Sequence, residues 1–147
     1  RPIDPSVQAN IERELNAGLN NFATYEKFAQ RVEQSKEQLV EILTNFKRHG
    51  KKIVSYGATS KSTTVFNYCG IDGSLIDYIV DTTEDKQGKL SPGMHIPVVS
   101  PEVGFDNSVD VAFLGAWNYE KEILNKEENF LKRGGKFITH VPIVRVI

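Results

Sequence analysis

The sequence is short of cysteine, of net charge and of long apolar runs. Its 147 residues contain a single cysteine, Cys69, which excludes an internal disulfide and a multi-cysteine zinc cage. Lys and Arg number 18 against 19 Asp and Glu, a formal net charge of -1. That balance argues against a nucleic-acid-binding domain driven by global charge, but leaves room for a local basic site. No apolar run approaches the roughly 20 residues of a membrane span, and no signal peptide is visible. The three histidines, His49, His95 and His140, have no local metal-ligand spacing. The G-x-S-x-G, H-E-x-x-H and Cys-His patterns are all absent. Nothing local marks a nucleophile, a paired acid and base, or a metal site. What is present is ordinary: 39% hydrophobic and 25% charged residues, enough for a real core without staples. A reduced, soluble, cytoplasmic protein is expected. Length predicts one domain, or one domain with a helical appendage. The first residue is Arg1, so a piece of a longer or processed chain is expected.

The chain changes character near Gly50, and this divides it into a helical lead-in, 1–50, and an α/β domain, 51–147. Asp4-Pro5 is a helix start, with Asp4 as N-cap and Pro5 at the first helical position. Val7, Ile11, Leu15 and Leu19 then fall on one helical face. Gly18 and Asn20-Asn21 weaken the end of that helix. A second helix is predicted from Thr24, apolar at Tyr25, Phe28, Val32, Leu39, Ile42 and Phe46, with Ser35 as a polar break. Lys47, Arg48, His49 and then Gly50 form a helix end. Such spacing serves a helix packed on its own domain or a coiled-coil seam.

Beyond Lys51, strands and helices alternate. Strands are predicted at 52–56, 76–80, 96–99, 109–114 and 136–139, with another at 144–147. Helices are predicted from Ser60 to Cys69 and from Asn118 to Leu131. Alternation of this kind implies a parallel sheet with right-handed crossovers. The predicted fold class is α/β: a Rossmann-like, doubly wound, mostly parallel sheet preceded by an N-terminal helical segment.

Ligands of such sheets bind beyond the carboxyl ends of the strands. Three loops there are rich in polar groups. In the first, Gly57 lets the backbone turn tightly, and Ala58, Thr59, Ser60 and Lys61 lead into a helix whose N-terminus suits an anion. Lys61 in the first turn faces the positive end of the helix dipole, a conflict that a phosphate would remove. The run is neither a full G-x-G-x-x-G nor a P-loop, and an ordinary capped turn explains it equally well. In the second, Asp81 ends a strand where dinucleotide folds hold a ribose, or acts as an Asx-type cap. Lys86 and Lys89 in the same loop could meet a diphosphate or stay solvated. In the third, Trp117 and Asn118 follow an apolar strand. They could stack on a base or sugar and read its hydroxyls, or plug the core and cap the next helix.

Seven blocks, in order, carry a resemblance: Tyr56-Gly57-Ala58 with Lys61; Asn67 to Ile71; Val80-Asp81; Lys86 to Lys89 with Pro92-Gly93 and Ile96-Pro97; Ala116 to Tyr119; Glu122-Ile123; and Gly134 to Ile138. The set resembles the C-terminal domain of SAM-dependent C-methyltransferases acting on nucleotide-linked deoxysugars, over nearly the whole chain. The resemblance implies a three-part enzyme in which a zinc domain and a SAM-binding domain lie upstream. It implies that this chain holds a nucleotide-diphosphate keto-deoxysugar, dTDP-linked, in a cleft shared with the SAM domain. The methylated carbon is next to a ketone, and the base that forms the enolate lies upstream. No cofactor is then expected in this chain, and it alone would be inactive. Gly57 to Lys61, Asp81, Lys86, Lys89, Trp117 and Asn118 would line the nucleotide-sugar side. Where the family runs on to a proline after the last core strand, His140 stands here and Pro142 follows, so His140 either touches ligand or fills space.

Two other functions compete. One is a freestanding Rossmann module for NAD(P) or another nucleotide, favoured by Asp81 and disfavoured by the incomplete glycine fingerprint. The other is a non-catalytic oligomerisation domain built on the Tyr25 to Phe46 helix.

Overall fold

The computed structural model describes residues 3–147. Contacts divide the chain inside its longest helix, into a unit that runs to Gln34 and a unit of Ser35–Ile147. In the first unit, α1 spans Pro5–Asn16, and the Asp4 carboxylate accepts the Ser6 N–H at 2.9 Å as its N-cap. Helix α2, Phe22–Arg48, starts earlier than the Thr24 expected. Asn21 is the reason: its side-chain oxygen accepts the Ala23 N–H at 3.0 Å, so the residue that weakens one helix caps the next. Thr24 Oγ1 donates to the Gly18 carbonyl at 2.8 Å and Tyr25 OH to the Leu19 carbonyl at 2.6 Å, closing the link. No residue of α1 is buried.

The second unit holds the rest of α2 and a six-stranded sheet. The strands are β1 (Ile53–Tyr56), β2 (Tyr78–Val80), β3 (Val98–Val99), β4 (Val111–Leu114), β5 (Lys136–Thr139) and β6 (Arg145–Val146). Their order is β3-β2-β1-β4-β5-β6. The first five are parallel, and β6 runs antiparallel to β5. The link from Thr139 to Arg145 is too short for a crossover, so the last strand can only reverse. The fold is therefore α/β with a mostly parallel sheet, as predicted.

Successive strand residues point to opposite faces, and both faces are covered. On one, Ile53, Ile79, Val111, Phe113 and Ile138 pack with Leu39 and Leu43 of α2 and with Phe66 of α3 (Ser60–Cys69). On the other, Val54, Val80, Ala112, Leu114 and Phe137 pack with Ile123 of α5 (Glu120–Lys126) and Phe130 of α6 (Glu128–Lys132). This double cover is why β4 reads as unbroken Val-Ala-Phe-Leu. At the amino ends of the strands, Asp77 accepts the Ile53 N–H at 2.9 Å and Lys47 Nζ at 2.6 Å. Asp110 likewise accepts the Lys52 N–H at 2.9 Å and Lys51 Nζ at 3.0 Å.

Two elements differ from expectation. The helix predicted over Asn118 to Leu131 is three pieces: a 3-10 turn at Trp117–Tyr119, then α5, then α6. The break falls at Glu127, whose carboxylate accepts the Tyr56 hydroxyl at 2.7 Å across the fold. A one-turn helix, α4 (Pro101–Gly104), was not expected. It sits so close to the sheet that a Cβ on Gly104 would lie 2.4 Å from Val99 Cγ2.

The burial difference between the two units is measurable. Leu43 is fully buried and Leu15 is 50% exposed. Leu43→Ala is expected to cost about 2–5 kcal/mol in denaturant unfolding, and Leu15→Ala to stay within about 0.5 kcal/mol. Equal losses would refute the difference.

Candidate functional site

Strands β1 and β4 are neighbours, but the chain leaves them in opposite directions. From β1 it goes through α3 toward β2, and from β4 through α5 and α6 toward β5. That divergence opens a crevice at the carboxyl ends of the two strands. Gly57, at φ 100, makes the turn after β1. Gly115 follows β4, and a Cβ there would lie 2.5 Å from the Gly57 carbonyl oxygen. The two loop backbones therefore touch, which only glycine at 115 allows. Thr59 locks the contact by donating from Oγ1 to the Gly115 carbonyl at 2.9 Å. The same residue caps α3: Oγ1 accepts the Ser62 N–H and Ser62 Oγ accepts the Thr59 N–H, both at 3.0 Å. This reciprocal box satisfies two of the donors a helix start leaves open.

The capping box consumes the hydroxyls of Thr59 and Ser62. The N–H groups of Ser60 and Lys61, in the first turn of α3, have no intrahelical acceptor. They lie at the positive end of the helix, as does the exposed Lys61 side chain. Lys61 Nζ reaches across the crevice to within 3.3 Å of Asn118 Oδ1 and 5.9 Å of the Trp117 ring centroid. So the structure brings Gly57, Ala58, Thr59, Ser60, Lys61, Trp117 and Asn118 together. Trp117 is half-buried against the core, while Asn118 is exposed.

Asp81 borders this group with its carboxylate turned inward. One oxygen accepts the Ala58 N–H at 2.7 Å and Lys86 Nζ at 3.2 Å, and the other accepts the Thr83 N–H at 2.8 Å. Burial raises its pKa, but the bonds from Thr83, Ala58 and Lys86 prevail and hold it below the ordinary carboxylate value. Lys86 Nζ also donates to the Ala58 carbonyl at 2.9 Å. Asp81 and Lys86 thus clamp the glycine turn from one side. Lys89 is not brought into this group. Its carbonyl accepts the Val98 N–H, and the next residue, Leu90, bridges Pro97, so it lies along β3, at the edge of the sheet.

His140 follows β5, the strand next to β4. Its ring stacks on Phe113 at 5.4 Å and 18°. Its Nδ1 is buried without a hydrogen-bond partner among the described residues. Burial lowers its pKa from the ordinary 6.5 and so favours the neutral ring.

Two features lay outside the residues singled out from sequence. Gly115 was signalled by its place directly after an apolar strand. The Tyr56–Glu127 bond had no local signal, because its partners are distant in sequence. Burial, reinforced by Glu127, pushes the Tyr56 hydroxyl pKa above its ordinary value. Among the described residues, no group of three or more His, Cys, Asp or Glu side chains is placed to hold a metal. None of the described helices is long and apolar enough to cross a membrane.

The strand order and the glycine-lined crevice at its switch point define a Rossmann-like α/β domain with a polar mouth where β1 and β4 end. The family model of the C-methyltransferase C-terminal domain matches residues 1–142, and the chain belongs to that family. It is 37% identical over 145 residues to the C-methyltransferase NovU of Streptomyces niveus. The match takes in 99% of this chain and 34% of that protein, so the chain spans about a third of the relative's length.

Two measurements check this geometry. Gly115→Ala is expected to destabilise by about 1–3 kcal/mol, because the obstructing atom is backbone; a neutral result would separate the two loops. His140 loses stabilisation when charged. The unfolded chain binds its proton first, so stability is expected to fall as pH drops below about 6.5. His140→Phe, which keeps the stack on Phe113, should flatten that fall in pH-dependent unfolding; an unchanged profile would assign it to other groups.

Proposed function

We propose that this domain is the substrate-binding part of a SAM-dependent C-methyltransferase acting on a nucleotide-diphosphate keto-deoxysugar. Membership of the C-methyltransferase family supports the reaction class. The observation that carries the ligand class is Lys61 at the open N-terminus of α3, facing Trp117 and Asn118 across the crevice. A diphosphate there would take the Ser60 and Lys61 N–H groups and the Lys61 ammonium, at the end of the helix that favours anions. Trp117 would stack on a sugar or base, and Asn118, released from Lys61, would bond a hydroxyl. Gly57, Ala58 and Thr59 form the floor. Asp81 and Lys86 act by holding that floor, and His140 forms a neutral wall beyond β4. Lys89 is the outlying member of the set.

The chain binds and orients. In this reading the proton-abstracting base and the SAM site belong to other parts of the enzyme, and this chain alone is inactive. In this reading a structural zinc also belongs to another part of the enzyme. The reading carries with it a dTDP-linked sugar, an adjoining SAM-binding domain of the same polypeptide, a helical lead-in over 1–50 and a cytoplasmic setting. A second reading, an NAD(P) module, draws on the strand order. Against it, the Asp81 carboxylate is only 8% exposed and already accepts the Ala58 N–H, Lys86 Nζ and the Thr83 N–H, so it serves the glycine turn.

Calorimetric titration with a thymidine-diphosphate hexose, against SAM and NAD as controls, tests the choice. The sugar nucleotide alone is expected to bind and to change Trp117 fluorescence. Lys61→Ala should weaken binding by about 1.5–3 kcal/mol, roughly ten- to a hundredfold. Unchanged affinity would remove Lys61 from the site, and binding of NAD alone would replace the reading.

A further inference from the structure

The unit that runs to Gln34 has an apolar stripe and, among its described residues, none that is buried. Val7, Ile11, Leu15 and Leu19 are between 44% and 50% exposed, and Phe22 and Phe28 are 75% and 57% exposed. No residue of α1 is buried. The buried residues of α2 are Leu39 and Leu43, both beyond this unit. A helix of 12 residues is marginal in water unless its apolar face is packed. Exposed apolar side chains in this number mark an interface.

What covers it follows from where the family boundary falls. The match to the C-methyltransferase C-terminal domain begins at residue 1, so the stripe is part of the domain. The relative aligns with 99% of this chain, yet the aligned part is 34% of that protein. In a protein of that kind, about two thirds of the polypeptide lies outside the domain, and a C-terminal domain places it before the stripe. A surface tethered in the same polypeptide meets the stripe at an effective concentration on the order of millimolar, which outcompetes a second copy of the chain.

We propose that Val7, Ile11, Leu15 and Leu19, with Phe22 and Phe28, dock on an apolar surface of the N-terminal part of the C-methyltransferase polypeptide. This rests on the exposed stripe, on family membership and on the relative's length, and is independent of whether the cleft takes a sugar nucleotide.

Hydrogen exchange on two proteins tests it: the 147-residue chain, and a chimera in which this chain replaces the matched third of NovU. In the isolated chain, amides 6–28 are expected to exchange fast. The double variant Ile11→Asp, Leu15→Asp should leave its unfolding midpoint unchanged. In the chimera the same amides should gain protection, and the double variant should lose it. Slow exchange in the monomeric chain would assign the stripe to its own domain and overturn the proposal. Concentration-dependent protection, lost with a dimer on Ile11→Asp, Leu15→Asp, would assign it to a second copy and overturn it too. So would equally fast exchange in both proteins. If the chimera does not fold, aspartates at the two aligned positions of intact NovU take its place. Reduced protection of that helix supports docking, and unchanged protection refutes it.

Discussion

The carbonyl of Gly57 occupies the space a side chain at position 115 would need. The rest of the cleft depends on that approach of two strand ends. Thr59 can bridge to the Gly115 carbonyl only because the loops touch, and the same hydroxyl accepts the Ser62 N–H that starts α3. The direction of α3, and with it the position of Lys61, is therefore tied to β4 as well as to β1. Residues far apart in the chain become one mouth through the close approach of Gly57 and Gly115, the Gly115 N–H donated to the Tyr56 carbonyl at 3.0 Å, and one threonine.

The polar groups of this mouth fall into two sets. Buried polar groups must find partners, and those of Thr59, Ser62 and Asp81 find them inside the protein. Lys61 is different. It stands at the positive end of a helix, and its neighbours across the crevice are an uncharged amide and an aromatic ring. Neither neutralises it. A bound anion would, and this is the electrostatic argument behind the proposed diphosphate site. Asp81, the conspicuous acid of the region, serves the opposite purpose by holding the Ala58 N–H and Lys86.

The two units solve the problem of apolar surface differently. In Ser35–Ile147 both faces of the sheet are covered and the large apolar side chains interlock, with Tyr56, Phe105, Phe130 and Phe137 in edge and tilted contacts on one face. In the helical unit the stripe is as regular but uncovered. Periodicity reports which residues share a face. It carries no information about what that face meets, so the Val7 to Leu19 stripe and the Leu39, Leu43 pair look alike in sequence and differ only in tertiary packing.

Elements bounded by strong local chemistry were legible. Helix α3 runs from Ser60 to Cys69 as expected because Thr59 caps one end and Gly70, in the left-handed region, closes the other. The apolar run of β4 announced a central strand, and the seven blocks of motif announced the family. Local sequence sufficed wherever neighbours along the chain supply the energy, as in caps, turns and alternation. It failed wherever the partner is distant. The break at Glu127 answers to Tyr56, the inward turn of Asp81 to Ala58, and the placement of Lys89 to β3. Those choices belong to the tertiary structure alone, because each is decided by a group that chain proximity does not predict.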